Sequence, residues 1–255
     1  MTVSDTALAT SFNAVAATYA AARPAYPPEV FAAVEAAAGR PLAGARVVEV
    51  GAGTGIATRL LAERGARVVA VEPGAGMAGQ LRRFLPRVPL VRGDGNALPL
   101  AADVADVVCF AQSWHWTDPG RSLPEARRVL RPGGVLALWW NTPDLAHDWV
   151  RAQEERLAER CPGYHRVGER PSPEPALLRR HGFASEFRTV RWSRRVDVDT
   201  HLRRLGTHSF LAVMGADAEP VLRAERSELS RLFPDGVVEE PFVVELTVAR
   251  PTAVG

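Results

Sequence analysis

The chain has 255 residues, of which 47% are hydrophobic and 24% are charged. This composition is that of a globular protein and excludes a fully disordered or collagen-like chain. The formal net charge of +2 does not indicate a nucleic-acid-binding protein, because such proteins carry an excess of basic residues. No stretch reaches the ~18 consecutive apolar residues that a membrane-spanning helix requires. The two cysteines, Cys109 and Cys161, and a start without a secretory pattern predict a reduced, cytoplasmic protein.

The first forty residues predict two helices separated by prolines. An alanine-rich stretch begins after Ser11, a plausible N-cap, and ends at the prolines from Pro24 to Pro28. A second helix begins at those prolines and ends at Gly39. We expect residues 1–40 to form a helical cover.

From residue 46 the pattern becomes an alternation of strands and helices. The apolar runs predict strands at 46–50, 67–71, 90–91, 106–110 and 135–140, with helices between most of them. The helix before the last of these strands is expected to stop at Pro132-Gly133-Gly134. Nearly continuous apolar strands that alternate with helices predict a parallel α/β sheet, doubly wound because crossovers are right-handed.

The remainder of the chain is less regular. Residues 144–181 are polar and helical in pattern, with a proline-rich turn near 171–175. Strands are predicted at 183–192 and 237–248, and residues 200–232 between them are mostly helical. We expect a helical insertion over 197–236 to act as a lid on the edge of the sheet where ligands bind.

The loop after the first strand is the most informative segment. Glycines alternate with other residues from Gly51 to Gly55, which lets the backbone approach a ligand and present helix N–H groups to it. A plain strand–turn–helix connection is the alternative. Ile56 occupies the position where a dinucleotide fingerprint requires a third small residue, so the loop argues against a dinucleotide.

Two acids follow the next two strands. Glu72 closes the second strand, where a carboxylate can accept both ribose hydroxyl protons, although an exposed strand-end acid would have the same pattern. Asp94 follows the third strand and could accept a proton from an adenine amino group. Its alternative is a local Asx turn.

Taken together, the glycine loop with Glu49, Glu72 and Asp94 resembles class I S-adenosylmethionine-dependent methyltransferases over residues 45–141. The N-terminal aromatic and Arg-Pro pattern and the run from Gln112 to Trp116 resemble the small-molecule subgroup that includes trans-aconitate methyltransferase-like enzymes. The resemblance implies a Rossmann-like methyltransferase fold whose doubly wound, mostly parallel sheet has seven strands, the last antiparallel. The core would comprise residues 41–196 and 237–250.

The resemblance also implies the residues that hold the cofactor, S-adenosylmethionine. The methionine part would lie on the glycine loop, the ribose on Glu72, and the adenine against Met77 and the Asp94 turn. The full predicted set is Glu49, Gly51, Ala52, Gly53, Thr54, Gly55, Glu72, Pro73, Met77, Asp94, Gly95, Asn96, Ala111 and Gln112.

The acceptor side would be built after the fourth and fifth strands. His115 is the candidate general base, and the alternative is a histidine packed between two indoles. Arg23 could pair a carboxylate or form a surface ion pair. The predicted substrate-binding residues, for which packing is the alternative, are Tyr19, Arg23, Tyr26, Trp114, Trp116, Asn141 and His208.

The absence of two sequence motifs limits the cofactors and partners that we expect. There is no Asp/Asn-Pro-Pro-Tyr motif of amino-methylating DNA enzymes and no His/Cys/Asp cluster with metal spacing, so we expect no metal and no nucleic-acid or membrane partner. The first hypothesis is methyl transfer to a small organic acceptor, with S-adenosylhomocysteine as product. A non-methylating rearrangement or cyclisation and a non-catalytic partner subunit are the alternatives. The sequence does not decide between a monomer and a homodimer.

Overall fold

The computed structural model describes residues 23–162, 164 and 173–252. The predicted first helix and Tyr19 lie outside these residues. The chain divides into two compact units. Among the described residues, the sheet unit comprises 25–141, 173–190 and 244–252, and the helical unit comprises 23–24, 142–162, 164 and 191–243. The predicted roles of 1–40 as a cover and 197–236 as a lid remain predictions.

Strands and helices alternate along the described chain. In order they are α1 (Pro28–Ala38), β1 (Arg46–Val50), α2 (Ile56–Glu63), β2 (Arg67–Val71), α3 (Ala75–Phe84), β3 (Leu90–Val91), β4 (Ala105–Ala111), a 3₁₀ turn (Trp114–Trp116), α4 (Pro119–Val129), β5 (Leu130–Pro143), α5 (Asp148–Arg160), α6 (Pro175–Arg180), β6 (Phe183–Asp197), α7 (Val198–Gly206), α8 (Ser209–Ala212), a 3₁₀ turn (Gly215–Asp217), α9 (Ala218–Leu232) and β7 (Val237–Pro251).

The strands form one seven-stranded sheet, which confirms the predicted fold class. The strand order is β3-β2-β1-β4-β5-β7-β6, and the pairs from β3 to β5 are parallel. The order reverses between β1 and β4, so the carboxyl ends of these two strands flank the switch point where ligands of such sheets bind.

The sheet unit is held by an apolar core on one face of the sheet. Alternate residues of β1, β4 and β5 point into it, as the two-residue period of a strand requires, and they meet apolar residues of α4 and α6. The core includes Val50, Phe110, Leu123, Leu138 and Leu178. Burial of such side chains contributes about 1.5–3 kcal/mol each.

The predicted stop of the helix before β5 at Pro132-Gly133-Gly134 is wrong. Helix α4 already ends at Val129, because Leu130 takes an extended backbone and pairs with Ala105 of β4. The proline and glycines are instead part of β5, whose pairing with β4 is irregular at this point. The helix-breaking residues Pro132, Gly133 and Gly134 therefore coincide with an irregularity in a strand and do not end the helix.

The helical unit has an apolar core crossed by a buried polar network. The core packs α5, α7 and α9 around residues such as Leu157, Leu205 and Leu229. Glu240 is 1% exposed and accepts hydrogen bonds from Arg194 Nε (2.6 Å) and Arg204 Nε (2.7 Å). Within the described part of the chain, no helix combines the length and apolar character needed to cross a bilayer.

Candidate functional site

The glycine loop after β1 has a left-handed backbone conformation, which residues with a side chain adopt only at a cost in free energy. Gly51, Gly53 and Gly55 have φ of 69°, 59° and 92°. Gly51 N and Ala52 N both donate to the carbonyl oxygen of Val71, which ties the loop to the end of β2. A Cβ at Gly51 would lie 2.4 Å from the Cβ of Ser113, so this position has no room for a side chain.

Glu72 ties the glycine loop to the following turn. It is 6% exposed, and its two carboxylate oxygens accept hydrogen bonds from Gly53 N at 2.8 Å and Gly74 N at 2.7 Å. Burial raises the pKa of Glu72, while these two bonds and the charge of Arg92 act in the opposite direction. An ionised carboxylate has about four acceptor positions, so two remain for a ligand.

Glu49 lies on β1, the strand that precedes the glycine loop. It is 1% exposed, and its Oε2 accepts a hydrogen bond from the Thr58 hydroxyl at 2.5 Å. Burial raises the pKa of Glu49 to about 8, with Glu72 adding to the effect and the Thr58 bond opposing it. Glu49 is therefore mostly protonated at neutral pH.

The turn after β3 has the local Asx-turn geometry, and the contact of Asp94 with an adenine stays a prediction. Asp94 Oδ1 accepts a hydrogen bond from Asn96 N at 2.6 Å, which is the Asx-turn geometry named as the alternative. Asn96 Oδ1 in turn accepts from Asp118 N at 2.8 Å. A Cβ at Gly95 would lie 2.9 Å from Thr117 and 3.0 Å from Phe110 side-chain atoms, so the turn packs closely on the sheet.

Gln112 follows β4 in a left-handed backbone conformation. Its φ is 57°, which is uncommon for a residue with a side chain, and its backbone N donates to Trp139 O at 2.8 Å. Such strained positions cluster at functional sites, because the surrounding structure must maintain them. The strain coincides with the predicted cofactor residues Ala111 and Gln112.

The aromatic run after Gln112 folds into a 3₁₀ turn. Trp114 is 6% exposed, and its indole N–H donates to Ser122 Oγ at 3.1 Å. The His115 ring lies 4.6 Å from the ring of Trp116, and its Nδ1 accepts a hydrogen bond from Trp140 Nε1 at 3.1 Å. His115 is thus held between two indoles, as its alternative interpretation described, but one indole is Trp140 of β5.

The other predicted residues are distributed between the two units. In the sheet unit, Met77 is 6% and Asn141 7% exposed, Pro73 accepts a bond from Arg92, and the Tyr26 ring packs edge-on against Trp139 at 5.7 Å. In the helical unit, Arg23 Nε donates to Thr207 Oγ1 at 2.9 Å, and His208 Nε2 lies 3.3 Å from Arg204 Nη1.

Sequence reasoning missed three polar groups of the sheet unit. Thr58 is the partner of Glu49, and Trp140 is the partner of His115. The third is the indole N–H of Trp139, which is 1% exposed and has no hydrogen-bond partner among the described residues. The position of Thr58 in the first turn of the helix after Gly55 is the only sequence signal that could have predicted its contact with Glu49. Trp139 and Trp140 lie in an apolar run, and that pattern predicts core residues.

Among the residues that the structure describes, no group of three His, Cys, Asp or Glu side chains could hold a metal ion. Backbone amides and hydroxyls surround the buried carboxylates instead. The described arrangement can bind a polar nucleoside-like ligand through hydrogen bonds at the ends of β1, β2 and β3.

Comparison with known proteins indicates the family to which the chain belongs. Residues 48–138 match the family described as methyltransferase domain. An uncharacterized methyltransferase of Mycobacterium tuberculosis is 45% identical over 151 residues, which cover 59% of this chain and 60% of that protein. The chain thus spans less than two thirds of the length of this relative.

Two further comparisons extend over more of the chain. The trans-aconitate 2-methyltransferase of Azoarcus sp. is 32% identical over 213 residues, which cover 74% of this chain and 83% of that protein. The solved structure of a candidate type II methyltransferase from Anaeromyxobacter dehalogenans has a TM-score of 0.66 and 29% identity, covering 91% of this chain and 99% of that one. With its seven-stranded sheet and glycine loop, this chain belongs to the class I S-adenosylmethionine-dependent methyltransferases.

Proposed function

We propose that the protein transfers a methyl group from S-adenosylmethionine to a small organic acceptor. The observation that carries the proposal is the placement of Glu72. Its carboxylate is buried at the end of β2 and bonded to the backbone of both neighbouring glycine turns. Its remaining acceptor positions match the two hydroxyl groups of a ribose.

The glycine loop fits the remainder of the nucleoside. Thr54 Oγ1 is buried without a hydrogen-bond partner among the described residues, and such a group is costly unless a ligand or water satisfies it. A Cβ at Gly53 would meet nothing within 4 Å, so the loop has open space beside it. Gly51, Gly53 and Thr54 would hold the methionine part, and the Asp94 turn would hold the adenine.

When bound, S-adenosylmethionine supplies a methyl group activated by the sulfonium charge. The residues of this chain need to bind and orient the two reactants and to exclude water, and orientation can supply about 7–11 kcal/mol of such a barrier. We assign the acceptor side to Trp114, His115 and Trp116 after β4 and to Asn141 after Trp140. Tyr19, Arg23, Tyr26 and His208 are further proposed contacts to the acceptor.

A small acceptor is supported by the relative in Azoarcus, which is named as a trans-aconitate 2-methyltransferase. A cytoplasmic location and the absence of a nucleic-acid partner are also proposals. The cytoplasmic location rests on the two cysteines, Cys109 and Cys161, which are far apart in the sequence and are expected to be reduced. The absence of a nucleic-acid partner rests on the balanced charge of +2 and on Gln112-Ser113-Trp114, which follow β4 where amino-methylating DNA enzymes have their motif.

The test is a turnover assay with S-adenosylmethionine that carries an isotopic label on its methyl group. The protein is incubated with a panel of small carboxylic acids and phenols, and both products are quantified by mass spectrometry. We expect one S-adenosylhomocysteine for each labelled acceptor. Conversion of a panel compound without S-adenosylhomocysteine would favour the rearrangement or cyclisation instead.

A control separates enzymatic turnover from slow chemical methylation. The Glu72→Gln variant should lose turnover at low donor concentration, and Glu63→Gln, an exposed glutamate on α2 paired with Arg59, should keep it. If wild type binds the nucleoside but converts no compound of a broad panel, the partner-subunit alternative is favoured.

A further inference from the structure

We infer that strand β6 is an interface for a second copy of this chain. Residues 184–190 of the two copies would pair antiparallel across a two-fold axis, with Phe187 of one copy opposite Phe187 of the other. The inference does not depend on the proposed function. It follows from the position of β6 in the sheet, the direction of its backbone groups and the order of its charges.

Strand β6 forms one edge of the seven-stranded sheet. In the strand order it lies beside β7, and among the described residues no strand covers its other side. An uncovered strand presents unpaired N–H and C=O groups that can pair with another chain, and proteins commonly protect such edges with short strands, prolines or bulges. The β6 strand instead runs for 15 residues, from Phe183 to Asp197, without a proline or a glycine.

The hydrogen bonds to β7 determine which backbone groups of β6 point outward. Thr252 N donates to Gly182 O at 2.8 Å at one end of the pairing, and Val198 N donates to Gly236 O at 3.2 Å at the other. Both bonds belong to the same antiparallel register, and both use even-numbered residues on the β6 side. Successive residues of a strand direct their N–H and C=O groups to alternate sides. The groups that point away from β7 are those of Ser185, Phe187 and Thr189.

The side chains of this segment are exposed on both faces of the sheet. Phe187 is 53% exposed, although Phe183, on the same face, is buried in the apolar core of the sheet unit. On the opposite face, the exposed Arg188 places Nη2 3.2 Å from Glu186 Oε2. Arg250 Nη1 of β7 lies 3.5 Å from Glu186 Oε1. A second strand beside β6 would therefore cover an exposed aromatic ring on one face and meet two opposite charges on the other.

The order of these charges selects one register for the pairing of two copies. When Phe187 lies opposite Phe187, Glu186 of each copy lies opposite Arg188 of the other. These are non-hydrogen-bonded positions, where the side chains of an antiparallel pair approach most closely. The two nearest registers would place Glu186 opposite Glu186 or Arg188 opposite Arg188, and like charges directly opposite are destabilising. The segment is thus complementary to itself in the register centred on Phe187.

The same register also satisfies the outward backbone groups. Phe187 pairs with Phe187, and Ser185 of each copy pairs with Thr189 of the other, so all three outward residues occupy hydrogen-bonded positions. Each such pair exchanges two backbone hydrogen bonds. A junction of two short segments is smaller than the interfaces of stable complexes, which bury ~1,200–2,000 Å². We therefore expect a dimer whose population rises with protein concentration.

The first test is sedimentation equilibrium at protein concentrations from about 1 to 200 µM. The mass of wild type should rise from the monomer value of 27.6 kDa towards twice that value. Glu186→Arg and Arg188→Glu each place like charges opposite one another, so each should lower the association constant about tenfold or more. Glu63→Arg, a charge reversal at an exposed position on α2, should associate like wild type.

Mixing the two variants tests the register itself. In an equimolar mixture, Glu186→Arg and Arg188→Glu chains again place opposite charges at both positions, so the mixture should associate like wild type. A wild type that stays monomeric over the whole range would overturn the inference. A mixture that associates no better than either variant alone would overturn it as well.

The second test locates the contact by a disulfide. Both natural cysteines are buried, so an introduced exposed cysteine is the accessible thiol. Phe187→Cys would place two thiols on paired residues with Cα atoms about 5.5 Å apart, which a disulfide can span. With diamide as oxidant, we expect a covalent dimer on a non-reducing gel. Phe84→Cys, at a phenylalanine of α3 that is 57% exposed, should remain monomeric. Equal dimer yields from the two variants, or none from Phe187→Cys, would overturn the inference.

Discussion

The substitution Gly51→Ala tests whether the loop is shaped by close packing or only by backbone freedom. Gly51 has φ of 69°, and an added Cβ would lie 2.4 Å from Ser113 Cβ and 2.8 Å from Ser113 Oγ. Ser113 cannot move freely, because its hydroxyl donates to Val50 O at 2.5 Å. The new methyl group would therefore force the end of β1 away from the start of the 3₁₀ turn.

Two costs add at this position. A left-handed backbone costs a residue with a Cβ about 1–2 kcal/mol, and overpacking costs about 1–3 kcal/mol more. We expect Gly51→Ala to lower the free energy of unfolding by about 2–5 kcal/mol. Gly53→Ala is the matched control, because Gly53 has φ of 59° but open space around its Cβ. It should carry only the backbone cost of about 1–2 kcal/mol.

Urea unfolding followed by circular dichroism measures both variants. A second substitution, Ser113→Gly, removes the side chain that the new methyl group would strike, so it should recover part of the loss in Gly51→Ala and none in Gly53→Ala. If Gly51→Ala is no more destabilising than Gly53→Ala, the close packing of loop and turn is refuted.

Two further predictions concern buried carboxyls. Glu49→Gln keeps an acceptor for the Thr58 hydroxyl but cannot ionise. In wild type the folded state raises the pKa of Glu49 to about 8, so its free energy of unfolding falls as the pH rises from 4.5 through 8. The variant should be more stable than wild type in urea unfolding at pH 8.5 and similar to it at pH 4.5; equal curves at both pH values would contradict the burial argument. Glu240→Gln leaves the charge of Arg204 buried without its carboxylate and should lower the free energy of unfolding by about 3–5 kcal/mol at pH 7. Glu239→Gln, at an exposed position, should lower it little. Similar melting curves for the two variants would show that the Glu240 network does not stabilise the fold.

The sequence was sufficient for the fold because its main signals are local. The apolar runs that end at Gly51 and Glu72 fall on β1 and β2, and the apolar run before Gln112 falls on β4. Once the strands are known to be parallel, their carboxyl ends share one edge of the sheet. The sequence alone therefore predicts that the residues following these strands belong to one site.

Side-chain partners could not be predicted in this way. The bond between Trp140 and His115 joins two elements separated by α4, and nothing in either local pattern distinguishes that indole from a core residue. The left-handed backbone of Gln112 is likewise imposed by its contact with β5, since glutamine has no intrinsic preference for it. Tertiary contacts also overrode the local breaker signal at Pro132, which lies within β5.

The most direct test of the account is the affinity for S-adenosylhomocysteine, measured by isothermal titration calorimetry. Wild type should bind the nucleoside. Glu72→Gln should bind about 10- to 150-fold more weakly, because hydrogen bonds to a charged group are worth about 1.5–3 kcal/mol. Glu63→Gln, with the same change of charge at an exposed position, should bind like wild type. Unchanged affinity in Glu72→Gln, or no binding by wild type, would contradict the central claim that this carboxylate holds the nucleoside.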